Sequence, residues 1–292
     1  MSKKISRADF LKASSAGLAA MTVVPNNVMG AAFGHKAPSD KLNIAAVGIG
    51  GMGHSNINGV KNTENIVALC DTDWNYAKAV FEEFPKAQRF WDWREMYDKI
   101  GNQIDAVMCA TPDHTHALVA ANAMEMGKHV YCEKPAAPDA YGALRMIKAA
   151  EGVKDRSLVM GFQVRHSSAY DEMIRRVHNG DIGKIVAAQL YYNSGGGSGK
   201  KPAVEDDEFR IRHHFQYLEL SGGTFNDQAI HVMDICREVL KANPLYAVGH
   251  SSRKGVKIEY GNFNTNYQVL YKYPEDINVM VQQTSVGSAT GG

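Results

Sequence analysis

Residues 42–53 read LNIAAVGIGGMG, a short apolar run followed at once by glycines in the spacing G-x-G-x-x-G. An apolar run of this length that ends at glycine is typical of a strand buried on both faces. Gly48 allows a tight turn, Gly50 lets the backbone approach a pyrophosphate, and Gly53 lets the next helix pack close to the strand. Because a helix is predicted to begin at Met52, the stretch predicts a dinucleotide site with Met52 among its contacts.

An acidic residue follows the next apolar run, at the distance that a dinucleotide site requires. The predicted strand 66–70 (IVALC) ends at Asp71, 18 residues after Gly53. A carboxylate here can accept hydrogen bonds from both adenosine ribose hydroxyls and would repel a 2′-phosphate. The following Thr72-Asp73 adds no arginine. The pattern therefore predicts NAD, and makes NADP the less favoured cofactor.

Strands and helices alternate through the first half of the chain, which is typical of βαβ units around a parallel sheet. The later predicted strands, 185–192, 247–252, 266–273 and 277–283, have few helices between them. The expected fold class is α/β, with a Rossmann parallel-sheet domain followed by an α+β domain with a large, mostly antiparallel sheet. We place the NAD-binding domain at 36–160 and the substrate-binding domain at 161–292.

Composition excludes several classes of protein. The chain has 292 residues, with 32 Lys+Arg against 31 Asp+Glu, and this balance provides no basic surface for nucleic acid. No stretch of 18 uninterrupted apolar residues indicates a membrane span, and no cysteine precedes Cys70 to carry a lipid anchor. The four cysteines form no C-x-x-C pair, so the sequence predicts no zinc cluster, and we expect no bound metal ion.

Residues 1–35 have the features of a targeting segment. Lys3, Lys4 and Arg7 form a basic start before a small, apolar stretch at 13–24, and the run SRADFLK resembles a twin-arginine export signal with Ala8 in place of the second arginine. We therefore expect export to the periplasm. The alternative is that this segment forms a helix of a cytoplasmic protein.

Two further motifs carry titratable groups. Glu133-Lys134-Pro135 follows the predicted strand 129–132, at the sheet edge where ligands of parallel sheets bind. If residues 227–234 are helical, Asp227, His231 and Asp234 share one face. Lysine can polarise a substrate hydroxyl, and histidine oriented by a carboxylate can accept its proton. The open alternatives are a surface lysine turn, a structural histidine, or a metal site at the trio.

Taken together, these motifs resemble the glucose–fructose oxidoreductase/inositol dehydrogenase/MocA family (Gfo/Idh/MocA), from about Lys41 to the C-terminus. The motifs that carry the resemblance are the glycine fingerprint, an acidic residue after the second strand (Asp71), T-P-x-x-x-H (Thr111 to His116), E-K-P (Glu133 to Pro135), G-F-x-x-R (Gly161 to Arg165) and D-x-x-x-H (Asp227 and His231).

The resemblance implies roles for these residues. The catalytic set would be Lys134, Asp227 and His231. Thr111, His116, Glu133, Lys134 and Gln163 would join the glycine turn in holding the cofactor, and Arg165 would contact the substrate. Family members usually run well beyond 300 residues, so the second domain is expected to be truncated at its C-terminus. A homo-oligomer formed through the open sheet of the second domain is expected as well.

The leading functional hypothesis is an NAD-dependent oxidoreductase that acts on a hydroxyl of a sugar, glycoside or polyol by hydride transfer. The alternative is a redox-neutral enzyme that cleaves a glycoside or epimerises a sugar, using tightly bound NAD and transient oxidation of a hydroxyl. Export would favour this alternative, because no nicotinamide pool outside the cytoplasm reoxidises NADH. A non-catalytic sugar-binding module would leave Lys134, Asp227 and His231 without a purpose.

Overall fold

The computed structural model describes residues 40–195, 198–255 and 257–286. The expected targeting segment at 1–35 lies outside these ranges. The described residues contain two main sheets with helices packed against them.

Six parallel strands form the first sheet of the described residues, in the order β3-β2-β1-β4-β5-β6. The strands are β1 (Asn43–Val47), β2 (Asn65–Cys70), β3 (Gln88–Phe90), β4 (Ala106–Cys109), β5 (His129–Cys132) and β6 (Leu158–Met160). The helices between them are α1 (Gly51–Val60), α2 (Lys78–Glu83), α3 (Trp93–Ile100), α4 (Asp113–Glu125) and α5 (Ala140–Glu151). This order is that of a Rossmann fold and confirms the predicted fold class.

The strand order reverses between β1 and β4, and this is where open α/β sheets bind their ligands. Val47 lies opposite Cys70 on one side and Cys109 on the other, and Cys109 lies opposite Cys132. Four strands therefore end together, so the segments that follow them meet at one edge of the sheet.

Apolar side chains cover both faces of this sheet. One layer centres on Met96, Val107 and Met124, and the other on Ile57, Leu69 and Phe81, all of them buried. Helix α4 is rich in alanine, and its small buried side chains let it lie close to the strands. The sheet edge is thus held on a rigid base.

The second sheet has the order β7-β12-β11-β9. Its strands are β7 (Ala187–Ser194), β9 (Tyr246–Ser252), β11 (Asn266–Lys272) and β12 (Asn278–Ser285). Strand β11 is antiparallel to both of its neighbours, whereas β12 is parallel to β7, so the sheet is mixed. Two short strands, β8 (Ser198–Gly199) and β10 (Lys257–Ile258), pair separately. The remaining helices are α6 (Ser168–His178), α7 (Asp207–Arg212), α8 (Leu218–Ser221) and α9 (Ile230–Leu240).

Helix α9 covers the inner face of this sheet. Cys236 on the helix packs in one cluster with Tyr273, Val279 and Val281. Residues 225–229, just before α9, form a wider π-helical turn. Asp227 therefore does not lie at the position that regular α-helical spacing from α9 would give it.

Some predicted boundaries were wrong. The helix predicted over 74–84 spans only Lys78–Glu83, because the Asp73 side chain accepts the Tyr76 N–H and forms a turn first. The short edge strand β3 was missed, since three residues give little periodicity. In the part of the chain described, no helix combines the length and the apolar character that a membrane span needs.

Candidate active site

The glycine turn after β1 has no room for side chains. Gly48 has a φ of +74°, and a Cβ on it would lie 2.6 Å from the Ala110 backbone. A Cβ on Gly53 would lie 1.9 Å from the Gly48 carbonyl oxygen, because α1 starts directly against the turn. The N–H groups at the start of α1 thus lie at the sheet edge, as a pyrophosphate site requires.

Asp71 lies beside this turn, as predicted. One carboxylate oxygen accepts the Ile49 N–H at 2.9 Å and the other accepts the Asp73 N–H at 2.9 Å. These bonds fix the carboxylate at the end of β2 and leave lone pairs on both oxygens for further donors. The geometry suits the recognition of ribose hydroxyls.

Tyr76 also belongs to this part of the site, although no sequence pattern pointed to it. A Cβ on Gly50 would lie 2.1 Å from the Tyr76 ring, which is 67% exposed. The ring therefore covers the turn from the solvent side. A ligand on the glycine turn would meet this aromatic surface.

The segment after β4 contains Thr111 and His116, both expected to contact the cofactor. His116 is only 1% exposed, and its two ring nitrogens lie 2.7 Å from the carbonyl oxygens of Pro135 and Thr111. Both nitrogens are thus occupied, so His116 lies beneath the site and joins the two loops. Any contribution of His116 to cofactor binding would act through Thr111 and Pro135.

The Glu133 side chain is likewise turned inward. It is 8% exposed, and its Oε1 accepts bonds from Asn56 at 2.9 Å and Tyr131 at 3.1 Å. Gly161 packs so closely that a Cβ there would lie 2.6 Å from Glu133 Oε2. Glu133 therefore anchors the loop that carries Lys134.

Lys134 and Asp227 form the central ion pair of the site. The Lys134 ammonium donates to Asp227 Oδ1 at 2.5 Å and to the Asp227 carbonyl oxygen at 2.9 Å. Both side chains are mostly buried, at 21% and 12% exposed. The structure thus brings together two predicted catalytic residues that lie 93 positions apart.

His231 is the third member of the predicted catalytic set. It is 7% exposed, its ring stacks on Tyr192 with centroids 6.2 Å apart, and its Nδ1 has no hydrogen-bond partner among the described residues. Burial lowers the pKa of His231, and the positive charge of Lys134 lowers it further. A neutral imidazole that can accept a proton is therefore favoured near neutral pH.

The expected pairing of His231 with a carboxylate one turn away was wrong. Asp227 bonds Lys134, and Asp234 receives two hydrogen bonds from Arg165. Because of the π-helical turn and these two ion pairs, the two carboxylates have different partners: Asp227 pairs with Lys134, and Asp234 pairs with Arg165. This division also argues against the metal site considered for the trio.

Arg165 does not have a free guanidinium for a substrate. Besides Asp234, the guanidinium contacts Glu238 at 2.8 Å, and its central carbon Cζ lies 5.9 Å from the Phe162 ring centroid. The carboxylates hold the pKa of Arg165 above its usual value. Arg165 therefore ties its own 3₁₀ turn to α9, and its contact with the substrate stays a prediction. Gln163, on the same turn, is exposed and remains a predicted cofactor contact.

Sequence reasoning missed two polar residues near the ion pair. Asp113, in the first turn of α4, is 4% exposed, and His214 Nε2 lies 3.7 Å from its Oδ1. Burial raises the pKa of Asp113 to about 7 and lowers the pKa of His214 to about 4. Asp113 could have been noticed within the T-P-x-x-x-H motif, whereas His214 lies 101 positions further on and gave no signal.

Three buried groups beneath the loops, Cys109, His116 and Cys132, have ligand atoms within 4.8 Å of one another. Such a set could in principle hold a metal ion. Because both His116 nitrogens already face carbonyl oxygens, His116 has no lone pair directed at the thiols. The cluster is better described as part of the packed base of the site.

The residues present fit a bound dinucleotide. The glycine turn is a cradle that side chains would fill, the start of α1 offers N–H groups, and Asp71 can accept ribose hydroxyls. The Lys134–Asp227 pair and His231 lie toward the second sheet, where a substrate would face the nicotinamide. The expected catalytic set thus combines Lys134, from the edge of the first sheet, with Asp227 and His231 from the second half of the chain.

Comparisons with known proteins agree with this geometry. The family model GFO_IDH_MocA, described as "Oxidoreductase family, NAD-binding Rossmann fold", matches residues 42–162. Inositol 2-dehydrogenase 1 of Saccharopolyspora erythraea is 31% identical over 218 residues, which cover 73% of this chain and 58% of that protein. Inositol 2-dehydrogenase of Corynebacterium glutamicum is 30% identical over 152 residues, covering 51% of this chain and 44% of that protein. The chain spans about half the length of these curated relatives.

Solved structures extend the likeness of fold to both sheets. The myo-inositol 2-dehydrogenase from Lactobacillus plantarum superposes with a TM-score of 0.70 at 23% identity, covering 85% of this chain and 70% of that chain. The WlbA dehydrogenase from Bordetella pertussis, in complex with NADH and UDP-GlcNAcA, gives 0.69 at 20% identity, covering 85% and 73%. The glycine turn, Asp71 and this match agree: residues 42–162 match the model of the Gfo/Idh/MocA oxidoreductase family, which is described as an NAD-binding Rossmann fold.

Proposed function

We propose that this protein is an NAD-dependent oxidoreductase that oxidises a secondary hydroxyl of a cyclic polyol or sugar. The observation that carries the proposal is the buried Lys134–Asp227 pair beside the buried His231, whose pKa is lowered by burial, at the sheet edge where the glycine turn also emerges. Relatives named inositol 2-dehydrogenase support a polyol as the substrate class.

Each group has a chemical task in this proposal. The Lys134 ammonium, held by Asp227, donates a hydrogen bond to the substrate hydroxyl oxygen and stabilises the negative charge that develops there. His231 accepts the hydroxyl proton, for which its lowered pKa keeps it unprotonated near neutral pH. NAD, when bound, supplies the acceptor for the hydride that leaves the carbon bearing this hydroxyl.

Asp71 supports a preference for NAD over NADP. Its carboxylate is fixed by two backbone N–H groups, so it cannot move away from a 2′-phosphate without losing both bonds. Arg212, at the end of α7, contacts the same loop and is paired there with Asp73 at 2.5 Å. The 2′-phosphate of NADP would therefore meet the negative charge of Asp71.

Calorimetry and steady-state assays test this proposal together. Purified full-length protein is titrated with NAD and with NADP, and the reduction of NAD is then followed with myo-inositol, other cyclic polyols and aldoses. We expect tighter binding of NAD and its reduction by at least one polyol. Equal affinity for the two cofactors would overturn the cofactor assignment, and no turnover with any hydroxyl compound would overturn the activity.

We also propose that a second copy of this chain covers the outer face of the second sheet. The aligned positions Val248, Leu270 and Met280 are 60%, 49% and 45% exposed and form an apolar row across three strands. Tyr191 and Tyr246 extend the row into a patch of the kind that marks interfaces. Sedimentation of the parent protein and of Leu270→Glu should give a dimer or larger assembly and a smaller species, respectively. A monomeric parent would contradict the proposal.

Export to the periplasm is the last part of the proposal, and it requires that the protein hold its NAD tightly and reoxidise NADH within the catalytic cycle, since no nicotinamide pool lies outside the cytoplasm. It is supported by the basic start, by the apolar stretch and by the twin-arginine-like run, all of them sequence features of residues 1–35. Cells expressing the full chain and the variant Ala8→Arg are fractionated. We expect a periplasmic product that increases when the second arginine is restored. Retention of both proteins in the cytoplasm would support the cytoplasmic alternative.

A further inference from the structure

The Lys134–Asp227 pair is formed by two segments that come from different halves of the chain. Lys134 lies in the loop between β5 and α5 (residues 133–139, the lysine loop), and Asp227 lies in the π-helical turn 225–229 before α9. The ammonium contacts the Asp227 carboxylate at 2.5 Å and the Asp227 backbone carbonyl oxygen at 2.9 Å. Its position relative to Asp227 therefore depends on how the backbone of the turn is held against the lysine loop.

Asn226, the residue immediately before Asp227, joins the two segments. Its Nδ2 donates to the Ala137 carbonyl oxygen at 3.0 Å and to the Ser221 carbonyl oxygen at 3.0 Å. Ala137 lies three positions after Lys134, and Ser221 is the last residue of α8. Because both partners are acceptors, only the amide nitrogen, with its two N–H groups, can serve them. One side chain thus ties the lysine loop to the π-helical turn.

The space around this amide is tightly filled. Gly222 has a φ of +74°, and a Cβ on it would lie 2.6 Å from Asn226 Nδ2 and 2.7 Å from the Pro138 carbonyl oxygen. Residue 222 therefore lies against both the amide and the lysine loop, and only glycine fits there. The loop is also held from beneath, where a ring nitrogen of His116 lies 2.7 Å from the Pro135 carbonyl oxygen. The amide is thus part of a closely packed contact between the two segments.

The residue on the other side of Asp227 fixes the turn to the second sheet instead. Gln228 Oε1 accepts a hydrogen bond from Ser194 at 2.6 Å and another from Ser285 at 3.1 Å, at the ends of β7 and β12. Asp227 thus lies between one anchor to each half of the chain. Loss of the Asn226 bonds would release the turn from the lysine loop and leave its attachment to the second sheet in place.

We propose that Asn226 is a positioning residue of the hydroxyl-oxidising site, which sets the place of Lys134 relative to Asp227 through its bonds to the two backbone carbonyls. The inference rests on the proposed function and adds to it a residue that acts through the ion pair. A displacement of about 1 Å at a reacting centre can lower the rate by about 10²-fold. Since the ammonium stabilises charge that develops in the transition state, its displacement should lower kcat more than it raises KM.

Steady-state kinetics of Asn226→Ala and Asn226→Asp tests the proposal. Neither variant can donate to both carbonyls, and aspartate keeps the shape of the side chain, so the test stays valid if the alanine variant does not fold. With the polyol that the parent oxidises, we expect kcat to fall roughly 10- to 100-fold, and KM and the Kd of NAD to change by less than about 3-fold. The matched control is Asn122→Ala, which should keep parental kinetics, because the Asn122 amide donates to the Leu118 carbonyl oxygen of its own helix at 2.8 Å.

A double-mutant cycle separates positioning from a merely structural role. If Asn226 acts through Lys134, its replacement should have little further effect once Lys134 has been replaced by methionine. We therefore expect the kcat of Lys134→Met/Asn226→Ala to lie within about 3-fold of that of Lys134→Met. A double variant whose kcat is lowered by the product of the two separate losses would overturn the proposal. So would a kcat of Asn226→Ala and Asn226→Asp within about 2-fold of the parent's.

Crystal structures of the variants provide a readout that needs no turnover. In Asn226→Ala and Asn226→Asp we expect Lys134 Nζ to lie more than about 3.5 Å from the Asp227 carbonyl oxygen, beyond hydrogen-bond distance, with the glycine turn unchanged. In Asn122→Ala this bond should remain. An unchanged Lys134–Asp227 contact in both Asn226 variants would overturn the inference. A protein without turnover whose contact is lost in these variants would contradict the proposed function and leave this inference standing.

Discussion

The glycine turn and the Lys134–Asp227 pair are two halves of one site, and they are built in different ways. The glycine turn is formed by the backbone of residues that are close together in sequence, since Gly48, Gly50 and Gly53 lie within six residues. The ion pair joins side chains 93 positions apart, and the Arg165–Asp234 pair joins side chains 69 positions apart. The proposed cofactor half is therefore locally encoded, whereas the proposed substrate half exists only when the two sheets are in place.

This difference predicts how each half responds to substitution. A change in the glycine turn should act on binding and on stability through steric contact. A change in the ion pairs should act on charge and chemistry, and leave the distant glycine turn able to bind cofactor. The following predictions separate the two responses.

The largest effect is expected at Lys134. Lys134→Met removes the charge that stabilises the substrate oxygen and should lower turnover by roughly 10²–10⁴-fold, the range for a positioned acid–base group. Steady-state kinetics measures the loss, and calorimetry should show that NAD still binds. Lys148→Met, on the exposed face of α5, is the matched control and should keep parental turnover. Turnover of Lys134→Met within a few-fold of the parent would remove Lys134 from the catalytic set.

The next effect is expected at Asp71. Asp71→Ala should weaken NAD binding by about 1.5–3 kcal/mol, the scale of hydrogen bonds to a charged group, and should reduce the preference for NAD over NADP. Calorimetric titration with both cofactors measures the two changes. Asp98→Ala, at an exposed position on α3, should leave both affinities unchanged. An unchanged preference in Asp71→Ala would mean that another group discriminates between the cofactors.

Two glycines of the same helix provide a steric test. A Cβ at Gly53 would lie 1.9 Å from the Gly48 carbonyl oxygen, so Gly53→Ala should lower the free energy of unfolding by about 1–3 kcal/mol. A Cβ at Gly59 would have no heavy atom within 4 Å, so Gly59→Ala should raise it by about 0.5–1 kcal/mol. Urea denaturation measures both. Equal changes of the same sign would show that the turn is not tightly packed against α1.

The smallest effect is a pH dependence at Asp113. Its folded-state pKa, raised to about 7, means that the folded protein holds a proton that the unfolded chain releases at lower pH. Stability contributed by this group is therefore lost as pH rises from about 4 to about 7. As pH rises over this range, the free energy of unfolding of Asp113→Asn should increase by more than about 1 kcal/mol relative to that of the parent, since one pKa unit is worth about 1.4 kcal/mol. Asp139→Asn should show a difference that does not vary with pH.

What the sequence could predict also differs between the glycine turn and the ion pairs. The strand–turn–helix at the glycines, the position of Asp71 and the parallel sheet of the first domain rest on local patterns, and the structure agrees with them. The sequence also pointed to Lys134, Asp227 and His231. It did not show that Asp227 would pair with Lys134 rather than with His231. Helical spacing cannot anticipate a π-helical turn or a partner on another sheet.

Arg165 and His116 show why the remaining roles could not be predicted. Both lie in motifs that carry the resemblance to the family, yet Arg165 is bound to Asp234 and Glu238, and His116 to two backbone carbonyls. Burial and pairing depend on tertiary contacts between distant segments. For the same reason, His214 was visible only once the fold had brought it beside Asp113.

The most direct test of the central claim, that the two halves meet around one reacting carbon, is the transfer of deuterium. The full-length protein is incubated with NAD and carbon-deuterated myo-inositol, and the nicotinamide product is analysed by mass spectrometry. We predict NADH that carries deuterium with the parent and with Lys148→Met, and almost none with Lys134→Met. Tight binding of NAD with no deuterium transferred from inositol or from any other deuterated polyol or sugar, or equal transfer with Lys134→Met, would contradict the account.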